Sequence, residues 1–383
     1  MNQGSVQRFG KHKNSFGFLR LLFASLVIVA HTPVLADGNR NREIFYMIFG
    51  TIQFGELAVD GFFIISGYLI LGSFLNDPHV KPYLIKRCVR IYPAFILAFL
   101  LSVLVAGPLG GALISELWHK APDLLFRLVL LKEPDTIGAF AGSPHPSLNG
   151  SMWTISYEFR CYLFILILGR MGAWRSPPLI AAMVIFLLVG FKFCPTIILR
   201  KIDALPLADV WIGDARQALR LTGIFLTGSL FYLWRDHIRI TFTAAMFATV
   251  GLCACLFIPR LAEPAIAVFG GYIIFAFAGC QRYEIFNRIN NKNDISYGVY
   301  LYAWPIEKII LWNYGKTRLS PIDLIALGCL TFVLSCAFGI LSWHLLEKPL
   351  LSWLRRRTLV RKNHDSDLII SPGASEGGYL AAP

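Results

Sequence analysis

Ten runs of apolar residues, separated by short polar connections, make up most of this chain of 383 residues. A helix that crosses a bilayer needs about 20 predominantly apolar residues. The runs at 18–36, 44–75, 84–106, 150–170, 178–194, 216–234, 240–257, 264–281, 295–313 and 322–346 meet that requirement loosely. The pattern predicts an all-α integral membrane protein of about ten transmembrane helices. The second run is over-long and contains Gly55 and Gly61, so it is expected to be tilted, broken or split in two. A single membrane domain is expected over 1–354, followed by a basic and then polar tail, 355–383, whose Ser, Gly and Asp content reads as disordered.

Composition supports this class: 56% of residues are hydrophobic and 15% charged, against about a quarter charged in soluble proteins. A net charge of +13 raises nucleic-acid binding, but the cations lie in short connections between apolar runs, where membrane topology accounts for them. With the N-terminus in the cytoplasm, the inner segments hold nineteen Lys and Arg residues, among them Arg8, Lys11, Lys13, Lys86, Arg87, Arg90, Arg235, Arg239 and the tail cations Arg355, Arg356 and Arg357, against eleven in the outer loops. The outer loops hold fewer, so both termini are expected in the cytoplasm, as an even number of spans requires. The first seventeen residues resemble a signal peptide's charged start, but no small-residue cleavage site follows His31, and an uncleaved first span is expected. The eight cysteines include no CxxC pair, and Cys253 and Cys255 face different sides of a helix. No metal site and no permanently bound cofactor are expected.

The first run, FLRLLFASLVIVAHTPVL, places Arg20 and His31 among apolar residues. Both are costly at membrane depth and so point to a functional site. At 1.5 Å per residue His31 lies about 16 Å along the helix from Arg20. The run NGSMWTISYEFRCYLF enters from the other side and carries Glu158 about 12 Å down, so the two are expected at similar depth. Together they have the form of a general base with an orienting acid. The plainer reading, a histidine bonded to a neighbouring helix, stays open.

A second cluster is expected at the inner face. DGFFIISGYLI brings Asp60, Ser66 and Gly67 toward the cytoplasm, and KRCVRIYPAF adds Lys86, Arg87 and Arg90. Cations beside backbone N–H groups freed by Gly67 suit a phosphorylated ligand, although topology alone would also place cations there. Arg20 favours the ligand, because it sits at the same face but inside an apolar helix. Arg160 and Arg220 are expected to neutralise Glu158 or another acid, with Arg160 alternatively holding an acceptor's anionic group. Glu307 and Lys308 read as a snorkelling pair, and Tyr300, Tyr302 and Trp304 as core or interface aromatics.

Arg20-x10-His31, D-x-F-F-x-x-S-G-Y at Asp60 to Tyr68, K-R-x-x-R-I-x-P at Lys86 to Pro93, N-G-S-x-W-T-x-x-x-E-F-R at Asn149 to Arg160 and S-Y-x-x-Y-L-x-x-x-P at Ser296 to Pro305 follow one another in that order. This ordered set resembles the acyltransferase-3 family, bacterial membrane O-acyltransferases of surface polysaccharides and related glycans, over roughly residues 16–350. The resemblance implies a ten-helix protein of the bacterial inner membrane. It would move an acyl group, commonly acetyl, from cytoplasmic acyl-CoA to a sugar hydroxyl of a lipid-linked or surface glycan at the periplasmic side. Carried onto this sequence, Arg20, Lys86, Arg87 and Arg90 would bind the CoA phosphates, with Ser66 and Gly67 beside them. His31 would be catalytic, as general base or through an acyl-histidine, and Glu158 its partner. Trp153, Tyr157 and Arg160 are the acceptor-side candidates. One departure stands out: many relatives have a histidine before the W-P of the last motif, where this chain has Ala303.

The rival reading is a transporter or flippase for a glycan lipid, whose mark would be paired discontinuous helices in two repeated halves. No such repeat is visible in the sequence. A non-catalytic scaffold would carry membrane charges without a His/Glu pair.

Overall fold

In a computed structural model of the protein, residues 14–135, 138–279, 284–315 and 319–357 are described. Among the helices of the described residues are α1 Phe16–Asp37, α2 Phe54–Asn76, α3 Val80–Leu109, α4 Trp153–Arg170, α5 Pro177–Phe193, α6 Ala215–Leu233, α7 Phe242–Leu256, α8 Ala262–Gly279, α9 Ser296–Tyr314 and α10 Pro321–Arg357, and a further helix, Ile114–Val129, falls outside the expected runs. No β-strand occurs among the described residues. Length and apolar composition qualify five of these helices to cross a membrane, namely α1, α2, α3, α8 and α10. A sixth forms if α5 is counted with Thr196–Asp203, which continues it after a 104° bend. Helices α4, α6, α7 and α9 fall at expected runs but are less apolar or shorter. Charged residues interrupt α4 at Glu158 and Arg160, α6 at Arg216 and Arg220, and α9 at Glu307 and Lys308, while α7 has 15 residues.

The over-long second run is split, and the break lies at Gly50. A short helix, Ile44–Phe49, ends where Gly50 takes a left-handed φ of 70° and its N–H returns to the Tyr46 carbonyl. The chain restarts at α2 with a capping box between Gln53 and Glu56. Gly55 and Gly61 lie inside α2, where they admit neighbours: a Cβ on Gly61 would stand 2.4 Å from the Phe23 ring. At the other end of the chain, α10 runs past the expected boundary at 354 to Arg357. The remainder of the expected tail, 358–383, and the cations Arg8, Lys11 and Lys13 lie outside the described residues.

The bundle is organised around α2, which packs on α1 at one side and α6 at the other, while α1 continues to α9 and α9 to α10. Lipid offers no hydrophobic reward for helix association, so close approach of small residues and interhelical polar bonds must hold such a bundle together. Both are present at the α2–α6 crossing. A Cβ on Gly67 would stand 1.9 Å from the Phe225 carbonyl oxygen, and one on Gly228 would stand 1.9 Å from that of Ile64. The backbones therefore touch, and the Ser229 hydroxyl donates to the Gly67 carbonyl at 3.1 Å. Farther along the same pair, Arg220 donates to buried Asp60 at 2.7 Å. The acid neutralised by Arg220 is thus Asp60, and Asp60 is a structural residue of the bundle.

Candidate active site

The basic residues converge at one end of the bundle. Arg20 of α1, Lys86, Arg87 and Arg90 of α3 and Arg355 of α10 line a cavity of about 580 Å³, with Ser66 of α2 and Tyr162 of α4 among its walls. These side chains share one face because i, i+3 and i+4 positions of a helix do: Lys86, Arg87 and Arg90 follow that spacing along α3. A narrow extension of about 40 Å³ shares Arg20 and Ser66 with this cavity and adds Thr154, Glu158, Tyr297 and Tyr300.

Three of the cations are already paired. Asp294, in the connection before α9, accepts from Arg20 at 2.5 Å and from Arg90 at 2.6 Å. Arg90 also reaches Glu347 of α10 at 3.3 Å, and Lys86 donates to Asp77 at 2.7 Å. Burial alone would raise the Asp294 carboxyl, but Arg20 and Arg90, with bonds from Ser296 and Asn290, hold it at about 2. Bonds from Lys86 and His79 likewise hold Asp77 at about 2. Arg87 differs: it donates to the Ser73 hydroxyl at 3.1 Å and lies against the Tyr83 and Tyr162 rings, with no carboxylate partner among the described residues. Asp294, Glu347 and Asp77 were missed by sequence reasoning. Asp294 stands two residues before the Ser296 motif, and an acid so placed was the available signal.

Gly67 does not line the cavity. It sits inside α2 at the contact with α6, where its N–H is in mid-helix and not free for a phosphate.

Glu158 and His31 are not paired. Glu158 accepts from Ser66 at 2.9 Å and from Tyr162 at 2.5 Å. The depth expectation failed at its starting point, because the chain is already deep at residue 150. Asn149 donates to the Leu301 carbonyl at 2.9 Å, Tyr300 donates to the Ser151 carbonyl at 2.6 Å, and Gly150 is so close to the Trp304 indole that a Cβ would stand 2.6 Å from it. Glu158 therefore lies farther toward the basic end than an entry at the membrane surface predicts.

His31 meets α9 instead. Its ring is edge-on to the Trp304 indole, with centroids 4.8 Å apart at 80°. Its Nδ1 is buried with no hydrogen-bond partner among the described residues. The extension from the basic end stops at Tyr300, one turn of α9 short of Trp304. Beyond His31, at the far ends of α1 and α9, a second cavity of about 870 Å³ is lined by Asp37, Arg42, Ser143, Lys308 and Trp312, among others. His31 and Trp304 thus lie between two openings, one strongly basic and one of mixed polarity.

The acceptor-side candidates line none of the cavities described here. Tyr157 accepts from the Asp214 N–H at 2.7 Å, and Arg160 donates to the carbonyls of Ile212 at 3.1 Å, Val210 at 3.2 Å and Asp209 at 3.3 Å. Trp153 stacks edge-on to Tyr157 at 5.6 Å. Tyr157 and Arg160 anchor the connection before α6. Glu307 and Lys308 do not snorkel: both are buried, at 0% and 2% exposure, and Lys308 donates to Ser143 at 2.7 Å. Among the described residues no cluster of His, Cys, Asp or Glu is placed to hold a metal ion.

The family model for an acyltransferase domain matches residues 13–342. The chain belongs to the acyltransferase-3 family. Similar relatives within reach include nodulation protein 10 of Rhizobium leguminosarum bv. viciae, 25% identical with 92% of this chain and 96% of the relative covered. An O-acetyl transferase of Shigella phage Sf6 is 23% identical, covering 89% and 97%. Acyltransferase MdmB of Streptomyces mycarofaciens is 26% identical over a shorter stretch, 37% of this chain and 35% of the relative. No solved structure matches. Membership in the acyltransferase-3 family, with several helices apolar enough to span a bilayer, makes the protein a multi-pass membrane O-acyltransferase.

Proposed function

We propose that the protein transfers an acyl group, acetyl in the simplest case, from cytoplasmic acyl-CoA to a sugar hydroxyl of a surface or lipid-linked glycan at the periplasmic side of a bacterial inner membrane. Ten spans with both termini in the cytoplasm fit this reading. The observation that carries it is the cavity at the basic end, where cations from α1, α3 and α10 surround a space of about 580 Å³. Lipid-facing helices have no reason to assemble such a charge, whereas a nucleotide diphosphate does.

Arg87 is the first ligand for a CoA phosphate, because no carboxylate among the described residues competes for it. Arg20, Lys86 and Arg90 would join by exchanging part of their bonding from Asp294 and Asp77 to phosphate. The pantetheine arm would then follow the extension past Ser66 and Glu158 toward Tyr300. His31 acts as general base: it takes the sugar hydroxyl's proton as that oxygen attacks the thioester carbonyl, the C–S bond breaks, and CoA leaves as the thiol. Positioned proton removal is worth roughly 100- to 10,000-fold. The acceptor would approach through the opposite cavity, where Trp312 offers an aromatic face and Asp37, Arg42 and Lys308 offer polar groups.

The test is mass spectrometry of surface glycans from cells with and without the protein. An added acyl mass on a sugar that appears only when the protein is present is expected. Identical glycans, with no acyl-CoA consumed by protein-bearing membranes, would overturn the reading.

A further inference from the structure

Two buried polar groups on the contact between α1 and α9 have no partner among the described residues: Nδ1 of His31 and both carboxylate oxygens of Glu307. A carboxylate at 0% exposure without a hydrogen bond is among the most costly arrangements a membrane bundle can hold. Such a group is retained where it acts on something.

The two helices share a common origin, which fixes what lies level with what. Arg20 of α1 and Asp294, just before α9, are joined at the basic end, and both helices run away from that joint. His31 is eleven residues beyond Arg20, about 16 Å, and Trp304 is ten residues beyond Asp294, about 15 Å. The observed ring contact between them agrees. Glu307 is three residues past Trp304, on the same face of α9 and less than one turn higher. Its carboxylate approaches Thr32, the neighbour of His31. The Thr32 hydroxyl gives its own proton to the Ile28 carbonyl at 2.9 Å, so it has none left to donate to a Glu307 carboxylate. Lys308 is held by Ser143, and Glu158 by Ser66 and Tyr162.

We infer that Glu307 is the acid that orients His31, accepting a hydrogen bond from the ring's Nδ1–H and leaving Nε2 free to take the hydroxyl proton. A bond between Nδ1 and one Glu307 oxygen would give each orphan group a partner. Glu307 is a positioning residue that acts through His31. This assignment rests on the acyl-transfer reading, in which His31 is the base.

The experiment combines stability and kinetics. Thermal unfolding of the full-length protein in detergent is measured for Glu307→Gln, His31→Leu and the double variant. If the groups are coupled, the double variant falls short of the summed shifts by about 2 °C or more; additive shifts would overturn the assignment. In membranes, Glu307→Gln is expected to lower kcat for acylation of the endogenous glycan about 10- to 100-fold, with KM for acetyl-CoA unchanged, and Glu307→Asp to recover part of the loss. A wild-type kcat in Glu307→Gln would also overturn it. If Glu307→Gln does not fold, Glu307→Leu, which also removes the carboxylate, replaces it in the cycle and is read by the same criterion. The stability cycle needs no turnover. Additive shifts in a protein whose activity depends on His31 would therefore reject Glu307 alone, whereas activity that survives His31→Leu would reject the acyl-transfer chemistry itself.

Discussion

Arg20 and Asp294 meet at 2.5 Å across the basic end of the bundle, and Arg90 holds the same carboxylate oxygen at 2.6 Å. One acid thus ties α1, α3 and the start of α9 together and keeps two guanidinium groups at the mouth of the donor cavity. Asp294→Asn should leave both cations without their counter-charge. The expected loss is about 3 kcal/mol, the lower end for breaking a buried pair, since the three side chains are near one-fifth exposed. Thermal unfolding in detergent measures it, and a stability equal to the parent protein's would contradict the role given to Asp294.

Acid should act through the same joint. Asp294 and Asp77 are both held at about 2 in the folded protein, below the roughly 3.9 of a free aspartate. A carboxyl depressed by folding contributes stability that is complete above its unfolded value and fades as pH falls through the folded one. The contribution of these two acids should be constant from about pH 8 to 5 and decline from about pH 4 toward 2. Unfolding midpoints followed through acid titration of the parent and Asp294→Asn should converge over that window. A difference that persists to the lowest pH would contradict the assignment.

Arg87 separates donor binding from architecture. It has no carboxylate partner among the described residues, so Arg87→Ala removes a phosphate ligand without freeing an acid. The expected loss is about 1.5–3 kcal/mol of acyl-CoA affinity, read as a rise in Kd with little change in unfolding temperature. Arg90→Ala should cost stability as well, because Asp294 and Glu347 then lose a partner. Unchanged donor affinity in Arg87→Ala would move the donor away from this cavity.

The contact of α2 with α6 has no spare volume. Gly67→Ala should force apart backbones that would otherwise place the new Cβ 1.9 Å from a carbonyl oxygen. The expected destabilisation is about 3 kcal/mol or more, at the upper end for overpacking because backbone and not a flexible side chain must yield. Folded yield by size-exclusion chromatography checks this, and a variant that behaves as the parent would contradict the packing described here.

The helical architecture was legible in the sequence because apolar runs are long and polar breaks are short, and the basic cluster because Lys86, Arg87 and Arg90 share one helical face. What the sequence could not reveal was which acid faces which cation. Asp294 and Asp77 lie in connections and Glu347 is an isolated acid inside α10, and a single charge carries no periodic signal. The spacing of His31 from Arg20 was legible, because both lie on one helix, but the position of Glu158 relative to His31 was not. The segment from Asn149 is drawn into the bundle by Leu301 and Trp304 before its helix begins. Ser66 and Tyr162, not His31, complete that carboxylate. Gly67 likewise reads as a loosened backbone in one dimension and proves to be a contact between helices in three.

Acyl transfer by purified protein carrying His31→Ala tests the account most directly, with acetyl-CoA consumption and acyl mass on the glycan followed together. The account predicts a folded protein of parent stability to within the loss of one side chain, normal acetyl-CoA affinity, and turnover reduced at least 100-fold. Turnover near that of the parent would contradict it, because the imidazole between the two cavities would then have no part in the chemistry.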